Sequence, residues 1–170
     1  MIMTRTLPDR SLTRNFRLYE FIESALPFQA VWLNWKYINE FQEHEYQRLA
    51  EYMQCVRNMI NAEFRQGNGG NEIGIRVTSG FRCLAWEMIR NRPGTSQHTV
   101  LAAADIQPTG CRPAMAVEIL AWLFQKYSPI SHGHKGGFAI KNPTLDANGK
   151  ILSVGFAHFD LRAQVARWEY

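Results

Sequence analysis

The chain has 170 residues, 46% hydrophobic and 20% charged, with a formal net charge of +4. That length suits one domain able to hide roughly two-thirds of its unfolded surface, and the composition excludes a disordered or fibrous chain. The mild basic excess favours an anionic partner, but no block of like charge and no basic, aromatic-laced helix face supports nucleic-acid binding.

The opening "MIMTRTLPDRSLTRNF" lacks the apolar core of a secretory signal. No run approaches the roughly 18 apolar residues of a membrane helix. The expectation is cytoplasmic synthesis without a signal peptide and no membrane insertion. Three cysteines, Cys55, Cys83 and Cys111, are odd in number and form no CxxC, which reads as three reduced thiols.

No internal repeat divides the sequence, so residues 1–170 read as one domain, with 1–40 as a docking segment and helices. "FRLYEFI" (Phe16 to Ile22), followed by Pro27, predicts a short docking helix. The cluster Trp32, Trp35 and Tyr37 reads as core packing or as a brace for this segment. Glu40 to Phe64 is the clearest helix. Phe41, Leu49, Tyr52, Met53, Val56, Met59, Ile60 and Phe64 recur at its 3.6-residue period. "QGNGGN" stops it, with Gly67 in the C-cap region. The period then changes to two: Ile73, Ile75 and Val77 alternate with Gly74, Arg76 and Thr78, a half-buried strand.

A helix from Leu84 to Arg90 ends near Pro93-Gly94, and Ala103 to Ile106 reads as a short buried strand. Pro113 suits a helix start, and Ala114 to Tyr127 carries Val117, Leu120, Leu123, Phe124 and Tyr127 on one face. Two strands follow, Phe138 to Lys141 and Ile151 to Leu161, separated by the turn signal Asn148-Gly149. The order predicts an α+β fold, with helices beside a small antiparallel sheet.

His98 and Asp105 bracket a turn leading into a strand. His158 and Asp160 share one face of the last strand, because side chains two apart point the same way. Zinc takes imidazole nitrogen and carboxylate oxygen, and a catalytic site keeps three protein ligands and one open position. His98, Asp105 and His158 supply such a set. Spacing alone is weak support in a chain with five histidines.

Three strings carry more. "VTSGFR" (Val77 to Arg82), "SQHTVLAAADI" (Ser96 to Ile106) and "GFAHFDLR" (Gly155 to Arg162) resemble the zinc D-alanyl-D-alanine carboxypeptidase family, peptidase family M15, especially its small phage and bacterial forms. "NFRLYEF" resembles the opening of those forms. The resemblance implies a hedgehog/DD-peptidase-like fold in which a small antiparallel sheet carries a zinc site. It implies a zinc peptidase, a DD-carboxypeptidase or endopeptidase, cleaving peptidoglycan stem peptides. A phage or prophage lysin, released onto the wall or carried on the virion, fits the missing signal.

Residue by residue, the resemblance makes His98, Asp105 and His158 the zinc ligands and Arg82 the grip on a substrate carboxylate or carbonyl. Ser96 and Gln97 are implied to orient the first ligand or the substrate. Asp160 is the first choice for general base, or else a partner that orients a zinc histidine. His132 and His134, in "SHGHKGG", are second choices. The sequence departs from the family pattern at Leu101, where glycine is usual, at Cys83-Leu84-Ala85, and at Gly155 and Phe156, where a base often stands. A leucine forced into positive φ would be strained. The rival expectation is a non-catalytic wall-binding or virion protein on the same scaffold.

Overall fold

The computed structural model describes residues 10–23, 27–126 and 136–170. Its helices are α1 (Leu18–Glu23), α2 (Phe28–Tyr37), α3 (Glu40–Phe64), α4 (Leu84–Ile89), α5 (Gln97–Val100) and α6 (Pro113–Lys126). Its strands are β1 (Gly74–Ser79), β2 (Ala103–Thr109), β3 (Gly137–Lys141), β4 (Thr144–Leu145), β5 (Ile151–Ser153), β6 (Phe156–Asp160) and β7 (Ala166–Glu169).

The long helix α3 has the bounds that its period predicts. Its start is fixed by a capping box: Gln42 donates its backbone N–H to Asn39 Oδ1 at 2.9 Å, and Asn39 returns the bond to Gln42 Oε1 at 3.2 Å. Leu49, Met53, Val56 and Ile60 are buried along one stripe, while Phe41, at the helix start, is exposed and outside the core. The chain then turns through Gly69 and Gly70, both at positive φ, rather than Gly67.

Five strands form the main sheet in the order β1-β2-β6-β3-β7, and β4-β5 is a separate hairpin. The pairs β1/β2, β2/β6 and β6/β3 are antiparallel, but β7 runs parallel to β3. The sheet is therefore mixed, not wholly antiparallel as expected. The expected strand Ile151 to Leu161 is broken in two at Gly155, whose φ is +80°.

One sheet face is the core. Phe159 of β6 meets Tyr52 of α3 edge-on at 5.9 Å and Phe138 of β3 at 5.0 Å. Phe124 of α6 lies 6.2 Å from Phe138, and Phe64 of α3 meets Trp122 of α6 at 5.4 Å. So α3 and α6 cover the same face, and the side chains that alternate with these emerge on the other.

The aromatic cluster of the N-terminal region forms α2, a second helix within residues 1–40. Trp35 is buried, but Trp32 and Tyr37 are half exposed. Between them Asn34 is fully buried. Its amide donates to the carbonyls of Ile22 (3.1 Å) and Phe81 (2.6 Å), and its Oδ1 accepts from the Cys83 N–H at 2.9 Å. Thus α2 grips the backbone on both sides of Arg82. Cys55, Cys83 and Cys111 are all free thiols, and no helix among the described residues is long and apolar enough to cross a membrane.

Candidate metal centre

The sheet register assembles the site. Asp105 on β2 stands opposite His158 on β6, His158 opposite Ala139 on β3, and Ala139 beside Trp168 on β7. Directly paired residues project to one face, so the four form a row across the side away from α3 and α6. The next row is Ala103, Asp160, Gly137 and Ala166. Small side chains on either side of Asp160 leave it room to lie flat behind His158.

His98 comes from α5, a four-residue helix where a loop was expected. Ser96 caps it, accepting the His98 N–H at 3.3 Å. His98 Nδ1 lies 2.7 Å from the Gly80 carbonyl oxygen. A carbonyl can only accept, so Nδ1 donates to it, and Nε2 is the nitrogen turned toward Asp105. That Nε2 lies 3.4 Å from Asp105 Oδ1.

His158 is presented the other way round. Its Nδ1 lies 2.8 Å from Asp105 Oδ1, and its Nε2 donates to Asp160 Oδ2 at 3.1 Å. Burial disfavours a charged His158, but the hydrogen bonds to Asp105 and then Asp160 outweigh it and raise its pKa. Burial likewise opposes ionised Asp105, yet bonds from His158 and His98 hold its carboxyl well below the usual range.

Donor atoms of His98, Asp105 and His158 all lie within 4.8 Å of one another. A tetrahedral ion with bonds of about 2.0–2.1 Å needs its ligand atoms roughly 3.3–3.4 Å apart. The edge from Asp105 to His98, 3.4 Å, has that size, and the edge to His158, 2.8 Å, is shorter, as suits a hydrogen bond. Two imidazoles and one ionised carboxylate thus converge as a set that could hold a metal ion.

The expected residues Arg82, Ser96 and Gln97 line the same cleft, of about 440 Å³, as the three ligands. Arg82 donates its backbone N–H to the His98 carbonyl at 3.0 Å and its Nη2 to Ser96 Oγ at 2.9 Å. Behind it stands buried Glu87, 3.7 Å from Arg82 Nε and 3.3 Å from Arg92 Nη1. Arg82 Nε and Gln97 Oε1 are buried without a hydrogen-bond partner among the described residues. One unmet donor and one unmet acceptor thus belong to side chains of this cleft.

Asp160, the first choice for general base, lies behind His158 with its carboxylate turned to protein donors. It is fully buried, and both oxygens are taken by His158, Arg162 and the Gly137 N–H. That is the geometry of a partner that orients His158. Position 155 is closed to a base as well, because a Cβ there would stand 2.0 Å from the Lys141 carbonyl oxygen. Phe156 lines the cleft. His132 and His134 lie outside the described residues. Leu101 has φ −135° and ψ −170°, ordinary extended backbone, so its departure from glycine carries no strain.

Asn34, Glu87 and the far wall of Trp168 and Tyr170 were not anticipated as parts of the site. An asparagine between apolar residues in "WLNWK" was the one available signal for Asn34. No family model matches this chain, and neither a curated protein nor a solved structure matches it.

Proposed function

We propose that this chain is a zinc-dependent peptidase of the D-alanyl-D-alanine carboxypeptidase type, acting on peptidoglycan stem peptides as a phage or prophage lysin. The observation that carries the reading is the gathering of His98, Asp105 and His158 in one cleft with Arg82. The sequence resemblance supplies the substrate class.

In this reading His98 binds zinc through Nε2, His158 through Nδ1 and Asp105 through its carboxylate. Bound zinc supplies Lewis acidity, polarising a carbonyl and acidifying a water to a pKa of about 7. Arg82 grips the substrate's terminal carboxylate, since a guanidinium offers parallel donors to both oxygens. Gln97 Oε1, buried without a hydrogen-bond partner among the described residues, is suited to accept from a peptide N–H. Asn34, Ser96 and Glu87 hold Arg82 in place for that grip.

One observation favours the rival, a wall-binding protein without turnover: among the described residues the cleft has no carboxylate free to take a proton. The deciding experiment is digestion of muropeptides followed by mass spectrometry, with zinc and with chelator. Chelator-sensitive release of D-alanine or opening of cross-links, lost in His98→Ala and His158→Ala, is expected. Hydrolysis that persists in either variant refutes the zinc-peptidase assignment. Wall binding with no hydrolysis establishes the rival.

A further inference from the structure

We infer that Arg162 is a positioning residue of the metal centre, fixing Asp160 so that Asp160 fixes the His158 ring with Nδ1 toward the metal. The inference rests on the metal-centre reading and adds to it the device that sets the second imidazole. Arg162 reaches Asp160 with both arms of its fork. Its Nε lies 2.8 Å from Oδ1 and 3.0 Å from Oδ2, and its Nη2 lies 2.6 Å from Oδ2. The Arg162 backbone N–H adds a bond to Oδ1 at 3.0 Å, and the Gly137 N–H another at 2.9 Å.

These donors leave Asp160 one geometry. Its Oδ2 then accepts from His158 Nε2, which holds a proton on that nitrogen and keeps Nδ1 turned toward Asp105, 2.8 Å away. The neighbourhood is shaped for this clamp. A Cβ at Gly137 would stand 2.4 Å from Asp160 Oδ2 and 2.7 Å from Arg162 Nε, so only glycine leaves room. From above, Trp168 of β7 covers the guanidinium, its ring centroid 4.7 Å from Arg162 Cζ, and the same indole packs 5.4 Å from the His158 ring. Arginine is required because the fork spans both carboxylate oxygens, whereas a lysine ammonium acts as a single point charge.

Zinc affinity of the full chain, measured by competition with a chelator of known affinity, tests this in the wild type, Arg162→Met and Arg162→Lys. Arg162→Met keeps the stem and removes the fork. It is expected to weaken zinc binding about 10–100-fold and to change the visible spectrum of the cobalt-substituted protein. Arg162→Lys is expected to fall between the two. A merely structural arginine would lower the melting temperature of the metal-free protein and leave affinity and spectrum unchanged, which would overturn the inference. If Arg162→Met does not fold, Arg162→Lys decides: wild-type affinity and spectrum overturn the inference, and an intermediate loss supports it. A wild type that binds no metal overturns the metal-centre reading and this inference together; wild-type binding unchanged in the variants overturns the inference alone.

Discussion

Replacing Ala139 with leucine should damage the metal centre from beneath. Ala139 is fully buried on β3, paired with His158 on one side and Trp168 on the other. Strands two apart in a sheet lie roughly 9.5 Å from each other, yet the His158 and Trp168 ring centroids are 5.4 Å apart. Both rings must therefore lean over the middle strand, and the alanine methyl is the floor on which they meet. Leucine puts three more carbons there. Overpacking of this kind costs about 1–3 kcal/mol, part of it the lost ring contact of about 0.5–1.5 kcal/mol. For a chain of this size that lowers the melting temperature by roughly 2–12 °C. Tilting His158 away from Asp105 should also weaken zinc binding about tenfold or more. Melting of the metal-free protein and competitive zinc titration measure the two effects, with Ala139→Gly as the control that keeps the rings in place. Wild-type zinc affinity in Ala139→Leu would refute the placing of both rings over Ala139.

The pKa shifts set how the metal-free fold responds to pH. The folded pKa of His158 is raised, so its contribution is complete below the unfolded value of about 6.5 and is lost as pH rises through the folded value. Asp105 and Asp160 are lowered, so their contributions are present above about 3.9 and are lost as pH falls through their folded values. Denaturant unfolding across this range should show greatest metal-free stability on the mildly acidic side; stability that climbs from pH 6.5 to 9 would contradict it. Zinc held through His158 Nδ1 would displace the proton there, so zinc affinity should rise over the interval where that stability falls. At a free zinc concentration 100 times Kd the fold should gain about 2.7 kcal/mol, read as a higher melting temperature, and no gain at that concentration would exclude binding to the native state.

How much of this was legible in the sequence depends on the kind of signal each part carries. The period-3.6 stripe of α3 and the alternation through β1 are local, and both elements emerged where expected. The cluster of His98, Asp105 and His158 was legible because two strings bring these residues in with recognisable neighbours. What could not be read were contacts made by register. Nothing in "HFD" says whether the aspartate faces the cleft or lies behind the histidine; that follows from small residues on three neighbouring strands, Ala103, Gly137 and Ala166. The parallel edge strand β7 was missed for a related reason. "ARWE" alternates apolar and charged residues but is only four residues long, too short to stand out as a strand, and its place is fixed by pairing to β3. Asn34 is the opposite case, a polar residue in an apolar helix that needs its partners, Phe81 and Cys83, to become meaningful.

Where a proton can go is what separates an enzyme from a binder in this cleft. Asp105 is held ionised by the two histidines it faces. Asp160 is ionised too, but every lone-pair direction it has toward the site is used by His158 and Arg162. Glu87 is buried against Arg82 and Arg92. Tyr170, on the far wall, has its phenol pKa raised by burial and then by the Asp105 charge, so it stays protonated and can only give a hydrogen bond. Such a group suits a developing oxyanion better than a water that must lose a proton. A cluster that could hold a metal ion, the Arg82 guanidinium and a neutral hydrogen-bond donor are thus in the cleft, and a proton acceptor is the part that its described residues do not supply. Peptide hydrolysis therefore requires an acceptor from outside them.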